Sequence, residues 1–146
     1  TGARFPGGLI PPLLDDHLTD LRAQLLEHPE KPAWNSWLAI DRALGEAVGS
    51  AGGGTADGPD TVLIGWAVYP RYEGRGYATE AARLIARWML RQPGTHIVRA
   101  TVPVAHSASI RVAEKIGMRH VGESSDPEVG PLLVFEIMGD GNQGAG

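Results

Sequence analysis

Leucines recur at Leu14, Leu18, Leu21 and Leu25, in steps of four, three and four. That spacing puts one apolar stripe on a helix, with Asp15 and Asp16 favourably placed in its first turn. His28-Pro29 ends it. Trp34 to Ile40 reads as a strand and Glu46 to Ala51 as its neighbour, joined by a turn over Asp41 to Gly45. Gly52-Gly53-Gly54 through Pro59 reads as a loop on composition. Thr61 to Tyr69 is a long apolar run rich in Val, Ile and Trp, a buried central strand closed by Pro70. Beyond a glycine-containing loop, Ala78, Ala81, Ala82, Ile85 and Met89 share one face of a helix that Gln92-Pro93-Gly94 terminates. Ile97 to Val102 is another strand. Ser107 to Ile116 is a short helix with Gly117 in the C-cap position. Met118 to Val121 and Leu132 to Ile137 complete the pattern as two strands joined by an acidic loop. The pattern predicts a mixed α/β domain with strand–loop–helix–strand at its centre.

Composition narrows the picture. The 146 residues are 42% apolar and 21% charged, which fits one globular domain, expected over residues 1–138. The opening stretch, Thr1 to Pro12, reads as coil, and Gly139 to Gly146 as a mobile polar tail. A net charge of −4 with no basic block argues against a nucleic-acid partner. No apolar run approaches ~18 residues, so no membrane span is expected, and a cytoplasmic location is the default. The chain has no cysteine, hence no thiol nucleophile, disulfide or thiolate metal site of its own.

The chemistry concentrates in Val68 to Ala82. A buried strand ends at a proline, a loop with Gly74 and Gly76 follows, and a helix begins at once. Loop amides and a helix N-terminus together favour anionic oxygens, and glycines let backbone approach a ligand closely. No Gly-Lys-Ser/Thr follows, and Thr79 stands where a dinucleotide fingerprint needs its third glycine. On these residues alone, an ordinary tight turn fits as well as a phosphate cradle.

Pro70-Arg-Tyr-Glu-Gly-Arg-Gly-Tyr-Ala-Thr-Glu-Ala81 resembles the coenzyme A loop of the GNAT acyltransferase superfamily. The branch it most resembles acetylates protein N-termini such as those of ribosomal proteins. A second block, Ser107-Ala-Ser-Ile-Arg-Val-Ala-Glu-Lys-Ile-Gly117, is similar to the short helix that precedes that family's sixth strand. The likeness runs from about Trp34 to Ile137. It implies a mixed sheet of about six to seven strands, helices on both faces, and a V-shaped cleft at the central strands. The first family strand has no clear counterpart: either the chain lacks it or this branch replaces it.

The resemblance also implies roles. Trp66, Ala67 and Val68 would pair with the pantetheine arm of acetyl-CoA. Arg71, Gly74, Arg75, Gly76, Tyr77, Ala78 and Thr79 would hold the pyrophosphate. Ser109 would hydrogen-bond the departing thiolate. The reaction would be direct attack of a primary amine on the thioester, the amine being a protein N-terminus, a lysine or a small molecule. A homodimer is compatible with this reading. The sequence departs from the family in three places. In the loop register Glu73-x-x-Gly76-x-Ala78 a carboxylate stands where Arg or Gln is usual, although Arg71-x-x-Gly74-x-Gly76 also fits the motif literally. His106 replaces an asparagine, and Leu63 replaces a frequent glutamate. These departures support the alternative of a catalytically weak or inactive GNAT-like module that binds acyl-CoA or a partner. A generic α/β interaction domain with a loop-like turn is the more distant rival.

A primary amine must shed a proton to attack. Glu128 is the carboxylate candidate, with Asp126 and Glu123 near it, against the plain reading of a solvated acidic loop. His106 competes between chemistry and helix capping. His120 reads as structural, and His17, His28 and His96 suggest nothing. No histidines and carboxylates fall at metal-ligand spacing, so no metal is expected. Trp34, Trp37 and Trp66 read as core or cleft wall, and Trp88 as partly exposed. Tyr69 and Tyr77 flank the loop, where ligand contact and simple burial are both open.

Overall fold

The computed structural model describes residues 2–8, 22–23, 26–27, 36–56 and 58–140. The leucine stripe of Leu14, Leu18, Leu21 and Leu25, together with Trp34 and residues 141–146, lies outside them; residues 22, 23, 26 and 27 are helical. Six strands follow: β1 (Trp37–Asp41), β2 (Glu46–Thr55), β3 (Thr61–Val68), β4 (Ile97–Pro103), β5 (Arg119–Asp126) and β6 (Gly130–Met138). Helix α1 (Tyr77–Leu90) joins β3 to β4, and α2 (Ser107–Lys115) joins β4 to β5. The strands form one mixed sheet in the order β1-β2-β3-β4-β6-β5. Among these six strands the β3–β4 pair alone is parallel, as a strand–helix–strand crossover requires.

The core lies between one face of this sheet and the two helices. Val62, Ile64, Val98, Ala100, Val102 and Phe135 meet Ala82, Ala86 and Met89 of α1, Val112 and Ala113 of α2, and Ile116 at its C-cap. The alanines of α1 let it lie close to the strands, and Met89 is fully buried. The C-terminal end of α2 closes as its sequence predicts. Gly117 takes φ +94°, and the N–H groups of Gly117 and Met118 donate to the carbonyls of Glu114 and Ala113. A second, smaller cluster of Ala47, Val48, Tyr69 and Tyr72 sits under the loop between β3 and α1.

Several boundaries differ from the sequence reading. Gly52-Gly53-Gly54 is not a loop: β2 runs through it to Thr55, paired with β3. Contact explains the composition. A Cβ on Gly53 would lie 1.6 Å from the carbonyl oxygen of Leu63, and one on Gly49 would lie 2.2 Å from that of Ala67. Only glycine lets β2 come this close to β3. The last two strands are also longer than expected. They meet at a turn over residues 127–129, because Asp126 closes it by accepting the N–H groups of Glu128 (2.8 Å) and Val129 (3.0 Å). Trp37 is not core. It lies on edge strand β1, 45% exposed, with its ring edge-on to Trp88 at 5.6 Å. In the opening stretch, Arg4 pairs with the start of β2: its N–H donates to the Gly45 carbonyl and its carbonyl accepts from Ala47.

Candidate active site

The central strands separate. The β3–β4 ladder pairs Thr61 with Ile97, Val62 with Val98 and Leu63 with Arg99, then stops. Both strands continue, β3 to Val68 and β4 to Pro103, each held on its outer side, by β2 and β6 respectively. The result is a wedge that opens toward the carboxyl ends of two parallel strands. Trp66, Ala67 and Val68 lie on β3 beyond the last pair with β4. A strand edge of this kind can hydrogen-bond an extended amide-bearing ligand.

At the mouth of the wedge β3 gives way to the glycine loop. A short 3-10 turn, Pro70–Tyr72, is set by the proline, and the N–H of Tyr72 donates to the Tyr69 carbonyl at 2.8 Å. Gly74 and Gly76 then take φ of +74° and +84°, a region that side chains with a Cβ rarely adopt. Gly76 is the N-cap of α1, and no side chain caps the helix there. The first helical bond from this residue is accepted from Glu80. Among the described residues, the N–H groups from Gly74 to Thr79 donate to no backbone acceptor. A run of free amides at the positive end of a helix dipole is a receptor for an anionic group.

The loop is held from below. Tyr72 is buried and donates its hydroxyl to Glu46 at the start of β2. Tyr77, the first residue of α1, donates to Asp41 Oδ2 at 2.5 Å. The two rings meet edge-on at 5.8 Å. Arg71 and Arg75 lie over the Tyr72 ring, their guanidinium carbons 5.1 and 5.5 Å from its centroid. The Tyr77 hydroxyl, with help from the Leu44 and Ala43 amides, holds the Asp41 carboxyl below its usual range. The same bond pushes the Tyr77 phenol up, and the bond to Glu46 does so for Tyr72. Glu73 is exposed, as are both arginines, so cationic groups flank this carboxylate.

The second helix start is plainer. His106 occupies the N-cap of α2 with no side-chain capping bond; its carbonyl accepts from Ile110. Ser109 is half-buried, in the third position of the helix. The helix follows directly on the free end of β4. Both α1 and α2 therefore begin on the side toward which the wedge opens.

The expected acid–base groups are not gathered there by any hydrogen bond. Glu128 is exposed at the tip of the β5–β6 hairpin, and its own N–H goes to Asp126. Asp126 is occupied in closing that turn, and those two amides lower its pKa. The turn end of the hairpin does reach the approach to α2, because the Val104 N–H donates to the Pro131 carbonyl at 3.2 Å. Glu123 is exposed on edge strand β5. His120 bonds the Gly122 carbonyl through Nε2 and packs on Phe135, while His96 lies 3.9 Å from Asp60. Tyr69 is buried, and Trp66 packs against the core. Among the described residues no group of three histidines and carboxylates is placed to hold a metal ion.

Sequence reasoning did not find Asp41, Glu46 or a role for Tyr72. It also did not find the Arg99–Glu136 pair. Arg99, the β4 residue of the last β3–β4 pair, donates from Nε and Nη2 to one Glu136 oxygen at 2.8 and 2.6 Å, directly across the β4–β6 ladder. The one available signal was a tyrosine placed between two arginines in the loop.

Comparison with known proteins agrees with this geometry. Residues 3–119 match the family model of the acetyltransferase (GNAT) domain. An uncharacterized N-acetyltransferase of Bacillus subtilis, YnaD, is 40% identical over 65 residues, 44% of this chain and 38% of its own. A GNAT-family acetyltransferase structure from Bacillus anthracis is 30% identical, with a TM-score of 0.65 over 70% of this chain and 65% of that one. The chain thus spans less than two-thirds of the length of these relatives. A ribosomal L7/L12 alpha-N-protein acetyltransferase solved with coenzyme A, RimL, shares the fold at 15% identity and a TM-score of 0.70, covering 86% of this chain and 73% of that one. With most of the chain inside the family match, and the parted strands and glycine loop inside the matched span, this chain belongs to the GNAT family of acetyltransferases.

Proposed function

We propose that this chain transfers an acetyl group from acetyl-CoA to a primary amine. The observation that carries the reading is the run of free amides from Gly74 to Thr79 beside the parted strands β3 and β4. The amides bind the pyrophosphate, aided by Arg71 and Arg75, and the pantetheine arm lies along Trp66, Ala67 and Val68. The amine nitrogen attacks the thioester carbonyl carbon. The C–N bond forms, the C–S bond breaks, and the electron pair leaves with sulfur. Ser109 donates to that sulfur as its charge develops, and the nitrogen's extra proton passes through water to Glu128 or to His106. The acceptor is a protein N-terminus, a lysine or a small amine.

Calorimetric titration with acetyl-CoA and thiol release on an amine panel test the reading together. Ser109→Ala is expected to lower turnover on the order of 10²-fold at nearly unchanged acetyl-CoA affinity. A melting shift with normal turnover would return Ser109 to a structural role. A second reading, a module that binds acyl-CoA without turnover, is favoured by Glu73, His106 and Leu63, which depart from the residues that the family resemblance implies at those positions. Saturable binding without thiol release on any amine would establish it.

A further inference from the structure

We infer that Asp41 and Glu46, at the two ends of the β1–β2 turn, are positioning residues that set acetyl-CoA affinity by holding the glycine loop through Tyr77 and Tyr72. The inference rests on the loop binding coenzyme A. Each carboxylate reaches across a long stretch of chain to one tyrosine hydroxyl: Glu46 to Tyr72, 26 residues on, and Asp41 to Tyr77, 36 residues on. The tyrosines bracket the loop: one closes the 3-10 turn, and the other opens α1. Between them lie Gly74 and Gly76, whose backbones are the least restrained of any residue type. Free glycines would leave the amides scattered, and ordering them would weaken binding. Fixing both ends removes that loss before a ligand arrives.

The carboxylates are themselves anchored. Asp41 Oδ1 accepts the N–H groups of Ala43 at 2.8 Å and Leu44 at 3.0 Å, which leaves Oδ2 aimed at Tyr77. Arg4 lies 3.8 Å from Glu46 and donates to the Leu44 carbonyl at 2.7 Å. The brace therefore belongs to the sheet and not to the loop. Through Tyr72 it also sets where Arg71 and Arg75 stand, since both lie over that ring.

The test is acetyl-CoA titration of the full chain carrying Asp41→Ala or Glu46→Ala, alongside steady-state rates. Each variant is expected to weaken binding about fivefold to tenfold, the net size of one ordinary hydrogen bond. KM for acetyl-CoA should rise in step while kcat at saturation holds. Glu46→Gln, which keeps an acceptor oxygen for Tyr72, should recover most of the affinity. Asp41→Ala should add little in a Tyr77→Phe background, which separates action through the tyrosine from any direct contact of Tyr77 with ligand. If the alanine variants fail to fold, Tyr72→Phe and Tyr77→Phe remove only the hydroxyls and carry the same expectation. Folded variants that bind as the wild type does would overturn the inference alone. A wild-type chain that does not bind acetyl-CoA would overturn the functional reading, and this inference with it.

Discussion

Two glycine-rich regions do opposite jobs. In β2, Gly49 and Gly53 have ordinary strand backbone but no room: the carbonyls of Ala67 and Leu63 occupy the space a Cβ would take. In the loop, Gly74 and Gly76 have open space around them, and it is the positive φ that excludes other residues. The first pair permits close packing of two strands; the second gives a backbone path that leaves amides free. One residue type therefore answers two different demands, contact in the sheet and conformation in the loop. Substitutions should separate them: damage to stability in one, damage to binding in the other.

The largest effect is expected at Gly53. Gly53→Ala sets a methyl against backbone, which cannot yield as a side chain would, so the loss of stability should reach or exceed about 3 kcal/mol. Gly54→Ala, one residue along and with nothing within 4 Å of its Cβ position, is the control and should cost far less. Chemical denaturation of the two variants checks the contrast; equal losses would mean that β2 and β3 can spread apart.

Gly76→Val probes the other kind of glycine. A β-branched residue at φ +84° costs about 1–3 kcal/mol if the backbone is kept. The chain can escape by turning the first amides of α1 away. We expect a folded protein whose acetyl-CoA affinity falls roughly a hundredfold, as two or more amide–phosphate bonds are lost. A folded Gly76→Val variant with unchanged affinity by calorimetry would remove the loop from the binding site.

The smallest effect is in pH. Asp41 has a folded pKa below its unfolded one. Its contribution to stability is therefore present above the ordinary aspartate value and is lost as pH falls through the lowered native one. Tyr77 is raised, so its contribution is complete below the ordinary phenol value and is lost as pH climbs through the native one. The melting difference between wild type and Tyr77→Phe should be widest between those limits and shrink at both. A flat difference across pH would show that the bond to Asp41 adds no stability.

Where the sequence was readable, local chemistry determined the outcome. Pro70, Gly74, Gly76 and the alanine spacing of α1 act within a few residues of themselves, so the loop and its helix could be anticipated. The same holds for Gly117 at the end of α2. What was illegible depended on distant partners. Gly52 to Gly54 have a turn's composition, and the reason they form a strand is the Leu63 carbonyl on the neighbouring chain segment. Asp41 read as part of a turn, which it does close, but its second oxygen answers to a tyrosine far along the sequence. The polar half of β5 carries no strand signal, because that strand is at the edge of the described sheet, with β6 to hold it and little apolar patterning. Trp37 follows a related rule: an edge strand exposes residues that composition alone would bury.

The parting of β3 from β4 has a mechanical meaning. Beyond Leu63 and Arg99 each strand is fastened only to its outer neighbour, β2 on one side and β6 on the other. The gap is thus held apart by the rest of the sheet, as the jaws of a clamp are held by its frame. An extended guest entering it adds bonds to rails already in position, and the protein surrenders little motional freedom in receiving it.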